Sequence, residues 1–464
     1  MRMSSGYAAV LLALGLACSS HAAETPPWKV GVATVKITPQ SPLPMAGYAA
    51  RKGLSEGVAQ DLFAKAMVIE DSGGGRVAFL TLDLIGIPRE LRDWLGSQVH
   101  EKAGIDSASL IVNASHTHCG PVVRLARVAA DERPAEVVQA VEQYADQLRA
   151  NLVTVVTQAA ERLAPARLDF VRGRAGFAMN RRRPTDKGYV NAPHYDGPVD
   201  HEVPVLRVSD AEGKLVALLF GYACHNTTLS DYLYRGDYAG YAQQYLEELH
   251  PGATAMFMAG CGADQNPYPR HQLQHVEWHG RALASAVEAA LETVPRPLEG
   301  PLSVAMEEVA IDFAPLPSRQ ELEKTAGGKG VEAIHAKRLL KELDEKGAIR
   351  STYAYPIQVV RFGNSLTLVA LAGEAVVDYA LRLKRELPGE AVWVAAYSND
   401  VFGYIPSLRV LNEGGYEAGG AMVYGSLPGA FAPSIEERIV GRVLEMARRP
   451  PGAAADAAGG GKDE

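Results

Sequence analysis

Cysteine is scarce in this sequence of 464 residues, and its scarcity excludes a small scaffold held together by disulfides. Of the 4 cysteines, Cys18 lies in the N-terminal segment, which leaves Cys119, Cys224 and Cys261 in the rest of the chain. An odd number does not make a disulfide framework. Each of these three residues lies beside a polar motif described below, and we interpret them as small apolar packing side chains.

Long apolar runs and an excess of one charge are also missing. After the first segment, no stretch reaches the roughly 18 unbroken apolar residues that a transmembrane helix needs. The 46 basic and 54 acidic residues are mixed along the chain and give a net charge of −8, so there is no basic surface for nucleic acid. The composition therefore indicates a globular protein with no transmembrane segment and no nucleic-acid partner, and it leaves the oligomeric state open.

The first 23 residues have the pattern of a secretory signal peptide. Arg2 precedes an apolar core over residues 8–17, and small residues follow at 20–23. We expect the mature chain to start near Glu24 and the protein to be exported, either periplasmic or secreted. Lipoprotein anchoring at Cys18 is an alternative that the residues before this cysteine favour less.

The remaining chain alternates strand-like and helix-like segments. β-branched apolar runs include VGVATV, RVAFLTL, SLIVNAS, EVPVLRV, KLVALLF, TAMFMAG and LTLVALAG. Residues 134–164, 277–294 and 434–449 have apolar residues at three-four spacing, which is typical of amphipathic helices. The pattern predicts an α/β fold with a mixed β-sheet core flanked by helices, in one domain over residues 24–449. Residues 318–347 are predicted to form a solvated helical pair, and 450–464 a disordered tail.

Several apolar strands end in polar side chains. The first example is NASHTHCGP, with His116 and His118, and CHNT adds His225. GCGADQNP supplies Asp264, Gln265 and Asn266, and the strand before AGE ends at Glu374. Strand ends are where α/β proteins build their sites, and two histidines with a carboxylate suit a catalytic zinc. Each signal is weak when taken singly, and their combination favours a metal site.

A second histidine cluster competes with this interpretation. His271, His275 and His279 are spaced four apart, so on a helix they would share one face. The nearest glutamate, Glu277, is two residues after His275, so the metalloprotease motif is absent. We expect a solvated helix face here.

The motifs together resemble the catalytic domain of the neutral/alkaline non-lysosomal ceramidases, which are zinc-dependent amide hydrolases. NASHTHCGP is similar to the family's His-Thr-His-Ser-Gly-Pro motif. ITP, MAGY, the NR of AMNRRRP, CHNT, GDYAG, AGE and GYIPSLRVLNEGGYEAG follow in the family's order. Tyr404 and Tyr416 have the family's separation of 12 residues. The resemblance covers nearly the whole mature chain and implies the family's catalytic-domain fold.

The resemblance implies a role for each matching residue. The implied zinc ligands are His116, His225, Glu374 and Tyr404. His118 is implied as the general base, with Arg181 and Tyr416 stabilising the oxyanion and the backbone of Gly47 lining the same pocket. This agrees with zinc hydrolase chemistry, in which the pKa of water falls toward about 7 and an imidazole moves the proton. The function implied is hydrolysis of the amide bond of a small-molecule or lipid-like N-acyl substrate.

The sequence departs from the family at two places. Asn266 stands where the family has a serine, and an amide cannot be an acyl-accepting nucleophile, so it acts at most as a hydrogen-bond donor, with Asp264 and Gln265 contacting substrate beside it. The β-sandwich that follows the family's catalytic domain has no counterpart after Arg449, which favours a smaller or more polar amide than ceramide. A basic rim is expected from Arg181, Arg182, Arg183 and Arg270. An ester or lactone hydrolase, or a metal-binding protein without turnover, are the alternatives.

Overall fold

The computed structural model describes residues 27–124, 133–425 and 427–450. The expected signal peptide (1–23) therefore lies outside the described residues, as does the expected tail after Pro450. None of the helices in the described ranges is both long enough and apolar enough to cross a membrane. The predicted domain boundaries stay a prediction.

The strands are numbered in chain order. They are β1 (Trp28–Lys36), β2 (Gly57–Val58), β3 (Phe63–Asp71), β4 (Arg76–Leu82), β5 (Leu110–Ala114), β6 (Ala164–Arg174), β7 (Ala178–Thr185), β8 (Gly188–His194), β9 (Glu202–Asp210), β10 (Leu215–Tyr222), β11 (Leu233–Tyr234), β12 (Thr254–Ala259), β13 (Gln265–Pro267), β14 (Arg296–Pro297), β15 (Leu302–Asp312), β16 (Thr352–Phe362), β17 (Leu366–Leu371), β18 (Glu374–Ala375), β19 (Val392–Ala395) and β20 (Tyr404–Ile405).

The helices are numbered in the same way. They are α1 (Arg89–Ala103), α2 (Ala135–Glu161), α3 (Asp237–Leu249), α4 (Leu273–Leu291), α5 (Arg319–Ala326), α6 (Val331–Lys346), α7 (Val377–Glu386), α8 (Leu408–Glu413) and α9 (Ile435–Arg448).

A large mixed sheet forms the centre of the molecule. Its strand order is β12-β10-β9-β6-β1-β3-β4-β5, with β14 added beside β6. β10 pairs with β12, and β4 with β5, in parallel, while the other neighbours are antiparallel. β3 is buried along almost its whole length, as expected for an apolar strand covered on both faces. The predicted fold class, a mixed β-sheet core flanked by helices, is confirmed.

A second sheet, β15-β16-β17-β19, packs on one face of the large sheet. Trp28, Phe79 and Phe170 of the large sheet share a core with Phe362 and Trp393 of the second. Helices α1 to α4 cover the other face of the large sheet, and α7 and α9 cover the outer face of the second sheet. Burial of apolar area between these layers drives the assembly, at about 25 cal/mol per Å².

Helix α2 shows how the sequence pattern becomes a layer. Its buried residues Leu148, Leu152, Val155 and Ala159 recur at three-four spacing and face the sheet. The helix follows Pro134, whose missing N–H costs nothing at a helix start. Gly31 of β1 lets α2 approach closely, because a Cβ there would lie 2.0 Å from a carbonyl oxygen of the helix.

The predicted helical pair is present as α5 and α6. Ser318 and Glu321 form a reciprocal capping box at the start of α5. Leu322, Ala336 and Leu339 give the pair a small core of its own, while most of its other side chains are exposed.

The prediction for the second histidine cluster is wrong. Helix α4 starts after His271, so only His275 and His279 lie on it, and both are buried. His279 donates from Nε2 to the carbonyl of Pro269 (2.7 Å) and stacks on Phe177. The reason is tertiary: this face of α4 packs into the domain instead of facing water.

Candidate active site

The four residues implied as metal ligands converge at one end of the sheets. His116 and His225 follow β5 and β10, and Glu374 and Tyr404 are paired residues of the parallel strands β18 and β20. Glu374 Oε2 lies 3.3 Å from His116 Nε2 and 3.2 Å from His225 Nε2. The hydroxyl of Tyr404 lies 3.4 Å from His225 Nε2.

The buried side chain of Asn113 holds the strand ends together at this point. Its Nδ2 donates to the carbonyl of Ala396 (2.7 Å), and its Oδ1 accepts from the backbone N–H of Ala259 (2.8 Å). The backbone of Asn113 also forms an isolated antiparallel β-bridge with Ser398. One amide therefore ties β5 to the ends of β12 and β19, which fixes the loop that carries His116.

His116 has a backbone φ of 58°, in the left-handed region that non-glycine residues rarely adopt. Such strain costs of order 1–3 kcal/mol and is typical of functional sites. The ring is held by a hydrogen bond from Nδ1 to the carbonyl of Ile85, at 2.7 Å. His225 is held in the same way by the carbonyl of Gly262, at 2.8 Å.

These carbonyl contacts decide where the imidazole protons are. A carbonyl only accepts, so Nδ1 of His116 and of His225 carries the proton and each Nε2 turns a lone pair into the site. Burial, with the charge of Arg181 nearby, lowers the pKa of His225 to about 4 and keeps this ring neutral. Glu374 Oε2 faces both lone pairs and accepts no hydrogen bond from any of the described residues.

A cation fits this arrangement of donors. Two imidazole nitrogens and a carboxylate oxygen point at one another with no proton between Glu374 and the rings, and a phenol oxygen lies beside them. Imidazole and carboxylate ligands in this number suit zinc. In the described part of the chain, the one group of nitrogen, sulfur or carboxylate ligands found close enough to hold a metal is His116, His118 and His225, whose ligand atoms lie within 4.8 Å of one another.

His118 lies beside this donor set. Its Nε2 is 3.2 Å from His116 Nε2, while its buried Nδ1 has no hydrogen-bond partner in residues 27–124, 133–425 and 427–450. Burial lowers the pKa of His118 well below its ordinary value, and the adjacent His116 lowers it further. The distances suit either a proton-transferring base or a further ligand, so the base role stays a prediction.

A cavity of about 370 Å³ opens onto the histidines, and its walls are mostly apolar. Gly47, His116, His118, Glu374, Tyr404 and Tyr416 all line it. The sequence analysis missed the apolar wall, which is made of Ala46, Ile85, Val122, Val123, Val401, Phe402, Met422 and Leu427. Single valines and a phenylalanine in loops carry no periodic signal, so only the tertiary structure shows them as one surface.

Tyr416 and Arg181, the two residues implied to stabilise the oxyanion, lie at different depths: Tyr416 at the mouth of the cavity and Arg181 in the interior. Tyr416 is 45% exposed at the mouth of the cavity, with its ring centroid 5.3 Å from that of Tyr404. Arg181 is buried behind Tyr404 and does not line the cavity. It donates from Nη2 to the Tyr404 hydroxyl (3.0 Å) and from Nη1 to Asn266 Oδ1 (3.3 Å). The geometry therefore connects Arg181 to the phenol of Tyr404 more directly than to a substrate.

The structure does not bring Asn266, Asp264 or Gln265 to the cavity. Asn266 lies in β13 and also donates to Asn191 Oδ1, at 3.2 Å. Asp264 accepts from the backbone N–H of Val377 (2.9 Å), and Gln265 donates to the backbone oxygen of Ala223 at 2.6 Å. All three side chains are buried and hydrogen-bonded inside the protein, and none of them is among the residues that line this cavity. Their expected roles stay predictions.

The expected basic rim forms only in part. Arg270 donates from Nη2 to the hydroxyl of Tyr48, which lines the cavity, at 3.5 Å. The other three arginines of the predicted rim lie elsewhere. Arg182 is buried and forms ion pairs with Glu413 (3.0 Å) and Glu417 (2.5 Å). Arg181 is paired with the same Glu417, at 2.8 Å. Arg183 is exposed but is not part of the cavity wall. Glu417 pairs with both Arg181 and Arg182, and Glu413 pairs with Arg182 as well. The wall that a substrate meets is mostly apolar, and Arg124 is a basic residue in it.

Comparison with known proteins agrees with this architecture. Residues 28–264 match the family described as neutral/alkaline non-lysosomal ceramidase, N-terminal. A neutral ceramidase of Drosophila pseudoobscura pseudoobscura is 28% identical over 271 residues, which are 55% of this chain and 37% of that protein. A neutral ceramidase of Pseudomonas aeruginosa is 26% identical over 253 residues, covering 51% and 36%. The matches thus span little more than a third of the length of these curated relatives.

Two solved structures share the fold. The crystal structure of neutral ceramidase from Pseudomonas aeruginosa has a TM-score of 0.71 and 19% identity, covering 91% of this chain and 74% of that chain. A ceramidase complexed with C2 has a TM-score of 0.68 and 18% identity, covering 93% and 77%.

Proposed function

Because this chain belongs to the neutral/alkaline non-lysosomal ceramidase family, we propose that it is an exported zinc-dependent hydrolase that cleaves the amide bond of an N-acyl substrate. The observation that carries the proposal is the donor set at the base of the cavity. His116, His225, Glu374 and Tyr404 converge there, and within the described part of the chain the buried Oε2 of Glu374 has no hydrogen-bond donor.

These four residues would hold the metal, and a bound zinc ion supplies Lewis acidity and lowers the pKa of water toward about 7. The protein's own side chains transfer the proton and stabilise the developing negative charge. His118 accepts the proton of the attacking water and returns it to the leaving amine, since its imidazole is neutral and lies at the cavity wall. The Tyr416 phenol, at the mouth of the cavity, donates to the oxygen on which negative charge develops.

The cavity walls favour an apolar acyl group. Val122, Val401, Phe402, Met422 and Leu427 surround the space beside the histidines, and burying an acyl chain there gains about 25 cal/mol per Å² of apolar surface. The cavity is at the small end of the roughly 300–1,000 Å³ typical of ligand pockets. A lipid-like N-acyl compound with a short acyl chain fits this mostly apolar space.

The chemistry and the position of Asn266 favour a mechanism in which water, and not a protein nucleophile at this position, attacks the substrate. Its side chain bonds to Arg181 and Asn191 and does not reach the cavity. The proposed route has no acyl intermediate on this residue, because His118 activates water in it.

The test is metal analysis combined with a substrate panel. Purified protein is expected to hold about one zinc ion per chain and to release amine from N-acyl substrates of varied chain length. His116→Ala is expected to lose both metal and activity, whereas the control His275→Ala, a buried histidine outside the cavity, keeps both. An active, metal-free preparation would overturn the proposal, and turnover of esters alone would favour the ester or lactone alternative. Export is tested by the N-terminus of the protein recovered from cells, expected near Glu24.

A further inference from the structure

Glu417 is a buried carboxylate next to the site but outside the implied ligand set. It is 3% exposed, and its two oxygens bind two different arginines. Oε1 accepts from Arg181 Nε at 2.8 Å, and Oε2 accepts from Arg182 Nη1 at 2.5 Å. The carboxylate therefore bridges two guanidinium groups in the interior.

The first of these arginines reaches the metal site. Arg181 uses Nη2 to donate to the hydroxyl of Tyr404 (3.0 Å), which in turn lies 3.4 Å from His225 Nε2. A guanidinium is rigid and planar, so anchoring Nε and Nη1 sets the direction of Nη2. Glu417 anchors Nε, and Asn266 contacts Nη1 at 3.3 Å. The place of the phenol oxygen thus depends on a carboxylate that touches neither the phenol nor the cavity.

We propose that Glu417 is a positioning residue for the metal site: through Arg181, it holds the phenol oxygen of Tyr404 beside His225. The proposal rests on the proposed function, since it takes Tyr404 as a ligand. It assigns a role to the first residue after Tyr416, which sequence reasoning passed over.

The charge of Glu417 is as important to this role as its shape. Arg181 and Arg182 are both buried and form ion pairs with Glu417, and Glu413 is the second carboxylate paired with Arg182. The two arginines together lower the pKa of Glu417, although burial alone would raise it, so the carboxylate is ionised. Without that charge, Arg181 loses its only ion-pair partner among the described residues, and we expect its hold on the Tyr404 hydroxyl to weaken.

The experiment compares zinc affinity in Glu417→Gln and Glu413→Gln by competition with a chelator. Loss of a residue that orients a metal ligand typically weakens metal binding about 10–100-fold, and this is expected for Glu417→Gln. Glu413 is the matched control, because it binds Arg182 and Arg409 but not Arg181. Its variant is expected to bind zinc within about threefold of the wild-type chain.

A double-mutant cycle with Tyr404→Phe separates positioning from general destabilisation. If Glu417 acts through the phenol oxygen, Glu417→Gln has little further effect on zinc affinity once that oxygen is gone. Additive losses, or a Glu417→Gln affinity equal to that of Glu413→Gln, would overturn the proposal. Should Glu417→Gln not fold, Glu417→Asp keeps the charge but withdraws the carboxylate by one methylene group from Arg181 Nε. Wild-type zinc affinity in that variant would overturn the proposal equally.

The same measurement separates this inference from the proposed function. A wild-type chain that binds no zinc refutes the metal-dependent hydrolase itself. A wild-type chain that binds zinc, together with a Glu417→Gln variant that binds it equally well, refutes only the positioning role.

Discussion

Gly47 is the position at which one added methyl group tests the role of His118. Its φ is +98°, and a Cβ built there would lie 2.3 Å from both Cγ and Nδ1 of the His118 ring. Ordinary contact begins at 3.4 Å, so in Gly47→Ala the ring must retreat by about 1.1 Å. The ligand candidates His116, His225, Glu374 and Tyr404 are not among the atoms that this methyl group meets first.

The expected loss of hydrolysis rate follows from that displacement of the His118 ring. A misplacement of about 1 Å in a catalytic group costs on the order of 10²-fold in rate, which is about 2.7 kcal/mol of activation free energy. The left-handed backbone adds roughly 1–2 kcal/mol of strain for an alanine and lowers the melting temperature. Gly47→Ala is therefore expected to keep its zinc, lose some stability and hydrolyse N-acyl substrate about 100-fold more slowly.

The control for backbone strain is Gly213→Ala. Gly213 has a similar φ of +88°, in the turn between β9 and β10, and a Cβ there meets nothing within 4 Å. This variant is expected to lose comparable stability with no loss of rate. If Gly47→Ala hydrolyses substrate as fast as Gly213→Ala, His118 does not act from its observed position. If Gly47→Ala loses zinc together with rate, His118 is a ligand and the division of roles between the two histidines is wrong.

Three further outcomes are expected. His118→Gln should retain most of its zinc while the rate falls about 10²–10⁴-fold, and wild-type turnover would refute the base role. Glu374→Gln should weaken zinc binding in chelator competition, because an amide replaces the only carboxylate of the donor set; unchanged affinity would remove Glu374 from the ligands. Burial lowers the pKa of His279, so the folded state keeps this ring neutral while the unfolded chain takes up a proton below about pH 6.5. Stability should therefore fall as the pH falls through that range, and melting curves of His279→Gln should show a smaller loss than those of the wild-type chain.

The local patterns of the sequence predicted many elements of the fold, although not helices α1, α3, α7 and α8. The predicted strand that starts at Glu202 is found at Glu202–Asp210, and the helix predicted over 434–449 is found at Ile435–Arg448. These predictions succeed because side-chain periodicity is a local property of strands and helices. The pairing of two sheets face to face was not predicted, since it depends on contacts such as Trp28 with Phe362, far apart in the chain.

The candidate site shows the same difference between what local sequence patterns predict and what long-range contacts decide. His116, His225 and Glu374 were recognised because each follows an apolar strand, and the fold then brought both imidazoles within 3.3 Å of the Glu374 carboxylate. The arginines were misplaced for the opposite reason. A run of three arginines looks like a charged loop, and nothing local shows that Glu413 and Glu417 will meet Arg182 in the interior.

Composition, periodicity and short motifs were therefore sufficient to predict the class of fold and the residue types of a metal site, because both depend on residues that are close together in the chain. The burial of His279, the apolar walls of the cavity and the link from Glu417 through Arg181 to Tyr404 needed the tertiary structure. Each of these is a contact between segments distant in the chain, and the free energy of such a contact depends on what the rest of the fold places beside it.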